Sequence, residues 1–216
     1  MTDESLSKAM MTLNLDWGTD MKESIPLIHP LAFNGNTAEG KYRFLYTLCT
    51  DGGGNDWHLW AHKNNDDDSS CTRNGEIVFI GHDGEKCKVA TSLKDFLQVV
   101  CAMRGGITDA SSEVALDNQD GDEINRDEFL SKWETNYGED NGGEASSEFP
   151  SKTLGSADSS DSDSDPDTDD YSEPTPKDRA LAANLVLSRL KLREISVEDA
   201  FDKMVAANRT NPRFDF

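Results

Sequence analysis

Between residues 42 and 103 the apolar positions recur first at every second residue and then at every third or fourth. That change of period predicts strands followed by a helix. In residues 41–50, Tyr42, Phe44, Tyr46 and Leu48 alternate with Arg43, Leu45, Thr47 and Cys49, the pattern of a strand with one strongly apolar face. Asp51-Gly52-Gly53-Gly54-Asn55 breaks this run. Over residues 56–62, Trp57, Leu59 and Ala61 share one face of a second strand, and His58, Trp60 and His62 share the other. A polar hairpin loop is expected over 63–74, a third strand over 76–81 ended by His82-Asp83-Gly84-Glu85, and a fourth over 86–90. Ser92 then stands as an N-cap with Asp95 three residues on. The helix it starts has Leu93, Phe96, Leu97, Val100 and Met103 on one face, with Gly105 and Gly106 expected to stop it. An antiparallel sheet with a helix packed on it buries both apolar faces.

The flanks are less regular. Leu6, Met10, Met11 and Leu13 predict a short helix within residues 1–24, Pro26 and Pro30 an irregular edge strand, and Asn34-Gly35 a turn. Residues 107–125 are polar and predict no element. Phe129, Leu130, Trp133 and Tyr137 are at helical spacing, with Gly138 as a stop. Leu181, Leu185, Leu187 and Leu190 suggest another helix. Ser196 with Asp199 caps a last one, carrying Val197, Ala200, Phe201, Met204 and Val205. The expected class is therefore α+β. A small antiparallel sheet with packed helices spans 1–138, an acidic Ser/Asp linker 139–176, and a helical segment 177–216 that either docks back or binds elsewhere.

Charge sharpens these divisions. The net charge is −21, and residues 139–176 hold twelve acids and one lysine, while 177–216 are mildly basic. The linker cannot bury enough apolar surface to offset ordering and is expected to be disordered and self-repelling. So acidic a chain is a poor ligand for a nucleic-acid backbone, whose phosphates need lysine and arginine; it favours a basic protein partner. No apolar run is long enough to span a bilayer, and no secretory signal is expected at the acidic N-terminus. Cys49, Cys71, Cys87 and Cys101 form no C-x-x-C pair, which leaves free thiols and a cytoplasmic location, with the nucleus as an alternative. The oligomeric state has no sequence signal.

Candidate chemistry is sparse. In residues 116–129 (LDNQDGDEINRDEF), placing Gly121 at the sixth position of a calcium loop makes Asn118, Asp120, Asp122 and Asp127 the metal candidates. Leu116 then occupies the first ligand position and Ile124 comes one residue late, so a solvated turn capping the next helix is the stronger reading and no cofactor is expected. His58 and His62 would meet a metal on a helix, not on a strand. The glycine-rich turn lacks the G-K-S/T of a phosphate cradle, and no serine or cysteine has an assignable base. Ser160, Ser162 and Ser164 each precede an aspartate by three residues, as acidophilic kinases require. Asn208-Arg209-Thr210 is a formal glycosylation sequon.

Three motifs together resemble the SUKH superfamily over about residues 25–105: the glycine-rich turn before an aromatic strand (Gly52–Trp60), the hairpin G-x-[IV]-V-F-x-G-x-x-G-E (Gly75–Glu85), and the helix start [VA]-A-x-S-[LF]-x-[DE]-F-L (Val89–Leu97). The segments DEFLSKWETNYG and NPRFDF are similar to pieces that follow this unit in some bacterial relatives. The resemblance implies an α+β fold without shared catalytic residues, and a protein-binding role of the kind played by bacterial immunity proteins and fungal cell-wall-assembly regulators. On this reading the exposed sheet face and adjoining loop, with His58, Trp60, His62, Asp66, Asp67 and Asp68, form the partner surface. Trp60 also has a reading as a core residue beneath the C-terminal helices. Rival readings are an acidic chaperone-like binder of basic proteins acting through residues 156–173, a calcium-binding protein, and a hydrolase whose site the sequence does not display.

Overall fold

Alternating strands joined by short glycine turns pair most simply with their sequence neighbours, and the sheet does so throughout. In a computed structural model, which describes residues 4–17, 42–62, 75–120, 125–138 and 173–209, five antiparallel strands lie side by side in chain order. They are β1 (Asp16–Trp17), β2 (Tyr42–Thr50), β3 (Asp56–His62), β4 (Glu76–Ile80) and β5 (Lys86–Ala90). The described helices are α1 (Glu4–Thr12), α2 (Leu93–Met103), α3 (Ile107–Asp120), α4 (Arg126–Tyr137), α5 (Pro176–Leu190) and α6 (Val197–Arg209). The class is α+β, as the periodicity predicts. The proposed edge strand near Pro26 and Pro30, the turn at Asn34 and the linker over 139–172 lie outside the described residues.

The sheet's core face is built from Trp57, Leu59, Ile77, Phe79, Cys87 and Val89, all excluded from solvent. In β2 the expected alternation fails. Register shifts fall between Phe44 and Tyr46 and between Thr47 and Cys49, and Leu48 and Cys49, assigned to opposite faces, are both buried. A bulge places two residues of one strand against one of its partner, so strict alternation ends there.

Helix α2 follows its expected pattern. Ser92 Oγ accepts from the Asp95 amide at 3.1 Å, and Leu93, Phe96, Leu97, Val100 and Met103 are buried. The stop comes one residue earlier than expected, because Arg104 itself takes the left-handed conformation (φ 47°). Gly106 serves packing instead. A Cβ there would lie 2.9 Å from Trp133 Cδ1, so the residue admits the indole against the backbone.

Helix α3 occupies the stretch for which no element is predicted. Its buried positions, Ile107, Ala110, Ser111, Val114 and Ala115, have regular helical spacing. Three of the five are alanine or serine, too small to register as an apolar stripe. Their smallness lets the helix lie close to the sheet: Trp57 Nε1 donates to Ser111 Oγ at 3.2 Å and Cys87 Sγ to Ser111 O at 3.3 Å.

Of the two alternatives for the C-terminal segment, docking back is the one adopted. Helix α5 is closed by a reciprocal capping box between Thr175 and Asp178, with Pro176 in its first turn. It packs on α1 and α2. Its buried face is not the leucine stripe, since Ala182, Ala183, Val186 and Leu187 turn inward and Leu181, Leu185 and Leu190 are half-buried. Helix α6 lays Ala200, Phe201 and Met204 into the same core as the sheet, and Phe201 stacks on Phe129 with ring centroids 4.5 Å apart. It also covers the free edge of β5. Asn208, 1% exposed, accepts from the Lys88 amide at 3.4 Å and donates to Val114 O at 3.1 Å. A side-chain amide so engaged is not available to a glycosyltransferase in the folded protein.

The described cysteines, Cys49, Cys87 and Cys101, are free and buried. Burial pushes the Cys101 thiol up to about 12 and raises that of Cys87 as well. Iodoacetamide at pH 8, followed by mass spectrometry, is expected to leave these three cysteines unmodified in the native protein and to alkylate them in urea.

Candidate functional site

The polar residues of the glycine-rich turn are engaged in holding three elements together. The Asp51 carboxylate accepts from the amides of Gly53 and Asn55 at 2.9 and 3.2 Å, from Asn55 Nδ2 at 2.8 Å, and from Thr108 Oγ1 on α3 at 3.0 Å. Asn55 Oδ1 in turn accepts from the His82 amide at 3.0 Å, joining this turn to the one between β4 and β5. Gly52 and Gly54, at φ 75° and 90°, supply the backbone conformation that closes the knot. Burial raises the Asp51 pKa, but the hydrogen bonds from Asn55, Gly53 and Thr108 outweigh it, and the carboxyl lies below the ordinary range.

A depressed folded-state pKa contributes stability that is present above the unfolded value of about 4 and is lost as pH falls through the folded one. Asp51→Asn is therefore expected to reduce the dependence of the urea midpoint on pH between pH 5 and pH 2. It should also lower stability at pH 7 by about 2 kcal/mol, the scale of hydrogen bonds to a charged group. A midpoint as steeply pH-dependent in the variant as in the wild type would remove Asp51 from this role.

On the sheet face opposite the core, the two proposed contact residues whose side chains are described, His58 and Trp60, are largely buried. Trp60, on that face, is 6% exposed, and its burial corrects its place as an accessible anchor. It is also absent from the core beneath the C-terminal helices, lying across the sheet from Trp57 and Leu59. The His58 side chain is 12% exposed, with Nδ1 3.2 Å from Thr47 Oγ1 and Nε2 3.9 Å from Asp56 Oδ2. Burial lowers its pKa against the pull of Asp56. His62 closes β3, and its side chain, like Asp66, Asp67 and Asp68, lies outside what is described. On the same face Lys88, 2% exposed, reaches Glu76 Oε1 at 2.8 Å.

Helix α3 runs into the candidate calcium loop. Residues 116–120, its first five positions with Asn118 and Asp120, are helical, whereas ligand positions must be free to wrap a cation. Asp122 lies outside the described residues. Asp127 is in the first turn of α4, whose N-cap is Asn125, accepting from the Glu128 amide at 3.2 Å. Among the described residues no group of three His, Cys, Asp or Glu side chains is arranged to hold a metal. Ser160, Ser162 and Ser164 lie outside them.

The site that sequence reasoning missed is a groove where α2, α4, α5 and the start of α6 meet. It encloses about 370 Å³. Cys101, Trp133, Leu187 and Ile195 contribute apolar wall, while Glu134, Glu194 and Glu198 are exposed and Arg104 is half-exposed. None of the three glutamates forms an ion pair with a described residue. Gln98 fixes one wall, its Nε2 donating to Arg193 O at 2.7 Å and tying the α5–α6 connection to α2. A second depression of about 690 Å³ adjoins it and shares Gln98, Glu194, Ile195 and Ser196. Two nearby cations are held by aspartates, Arg126 by Asp202 at 2.9 Å and Lys203 by Asp95 at 2.7 Å. The groove is assembled from side chains almost a hundred residues apart, so no local motif announces it.

No helix among the described residues is long and apolar enough to cross a membrane. Comparison of the chain with protein-family models, with curated proteins and with solved structures finds no match in any of the three.

Proposed function

We propose that this chain is a non-enzymatic protein-binding module of SUKH type, acting as an immunity-like or regulatory factor on a basic partner. One observation carries the reading: the motif residues that could have served chemistry serve the fold instead. Asp51 and Asn55 knot two turns to α3, and Ser92 with Asp95 caps α2. A module whose defining residues are structural is left to act through its surface, and at −21 that surface suits a positively charged protein. About half of that excess charge lies in 139–176, and the rest of the chain is still net acidic.

The test is an affinity pull-down with the tagged chain from native extract, with the eluate identified by mass spectrometry. A stoichiometric basic protein, released as salt rises from 50 to 500 mM, is the expected result. Failure to recover one above a charge-matched acidic control would refute the reading. Where a toxin gene stands beside the coding sequence, immunity is favoured over regulation.

A further inference from the structure

We infer that the groove between α2, α4, α5 and α6 is the docking site for an arginine- or lysine-bearing segment of a protein partner. One long basic side chain would enter the cavity. The inference rests on the proposed binding role and assigns that role a place. Three features select this occupant over others.

The first is the shape of the cavity's chemistry. Arginine and lysine carry an apolar stem and a charged head. The groove offers the complement, apolar wall at Cys101, Trp133 and Leu187, and carboxylates at Glu134, Glu194 and Glu198. A purely apolar segment would strand those carboxylates, and an acidic one would meet three like charges.

The second is that the glutamates make no ion pair within the described fold. Arg126 and Lys203 are each held by an aspartate, and Arg104 is the one cation among the described lining residues against Glu134, Glu194 and Glu198, so the groove keeps a negative balance. The third is that the walls are already built. Trp133 Nε1 donates to Met103 O at 2.9 Å, and Gln98 is bonded to the Arg193 carbonyl. A site held rigid before binding loses less entropy on association. The volume, about 370 Å³, falls in the range of formed ligand sites.

The test uses the full-length chain and a fluorescein-labelled peptide of four arginine-leucine repeats, titrated by anisotropy at 100 mM salt. Three proteins are compared: the wild type, the triple variant Glu134→Gln, Glu194→Gln, Glu198→Gln, and a variant with the acids of residues 156–173 neutralised. All three changed glutamates are exposed, so folding should survive, and circular dichroism checks it. Tenfold or greater weakening is expected in the groove variant, and less than threefold change in the tract variant. In ¹H–¹⁵N spectra the peptide should shift the Gln98 side-chain amide and the Trp133 indole. Affinity retained within threefold by the groove variant overturns the inference while leaving the binding role intact, as does loss confined to the tract variant. No binding of the peptide by the wild type, together with no basic partner recovered from extract, removes both.

Discussion

Replacing Phe201 with alanine is expected to lower the unfolding free energy by about 3–5 kcal/mol, the usual loss for a fully buried phenylalanine. Phe201 is excluded from solvent and stacks on Phe129 of α4. Its helix also meets α2 and β5, so truncation would leave a cavity at the junction of three elements. Domains of this size are commonly stable by only about 5–15 kcal/mol, so one substitution near the end of the described fold should remove a large share of the total. Urea unfolding followed by far-ultraviolet circular dichroism and by tryptophan fluorescence makes the test specific. Three of the four tryptophans, Trp17, Trp57 and Trp60, lie in the sheet. A shared core requires both signals to move to the lower midpoint together. Fluorescence that keeps the wild-type midpoint while helicity is lost earlier would mean that α6 unfolds separately from the sheet.

The strands and α2 were legible because large side chains at regular spacing carry their own instructions. Trp57 and Leu59 against His58 and Trp60 fix the two faces of β3, and Ser92 with Asp95 fixes where α2 begins. What was not legible has a common cause in small residues and remote partners. Helix α3 buries Ala110, Ser111 and Ala115, and α5 buries Ala182 and Ala183, positions whose value lies in close approach to a neighbour the sequence does not name. The bulges in β2 depend on which residue of β3 each position faces. The same limit applies to the site. His58 and Trp60 were visible as an aromatic and histidine pattern, but whether that face is open depends on what the rest of the chain places over it. The groove brings Gln98 and Trp133 to Leu187, Glu194 and Glu198, a grouping that exists only once α5 and α6 have docked.

The ion pair on the covered sheet face gives the second large effect, and it should be asymmetric. Glu76→Ala is expected to destabilise the protein by about 3–5 kcal/mol, because it leaves the Lys88 ammonium, 2% exposed, buried without its carboxylate. Replacing both members together, Glu76→Leu with Lys88→Met, should be neutral or stabilising by about 1–4 kcal/mol, since it keeps side-chain bulk and removes the need to desolvate either charge. Lys88→Met alone would strand Glu76, whose Oε2 is already buried without a hydrogen-bond partner among the described residues. Chemical denaturation of the two variants beside the wild type at pH 7 measures both. Equal losses would mean that the lysine stem, and not the unpaired charge, dominates. If the asymmetry holds, the pair is kept for something other than stability, and the strand pairing suggests what. Lys88 faces Val78, next to a register irregularity between Ile77 and Val78, and it reaches diagonally to Glu76. A one-residue slip of β5 would turn Lys88 into the core with Trp57 and Phe79, so a charge at this position specifies the register even where it adds nothing to the free energy. The variant with both members replaced should accordingly show faster amide exchange along β5 than the wild type at equal or greater global stability.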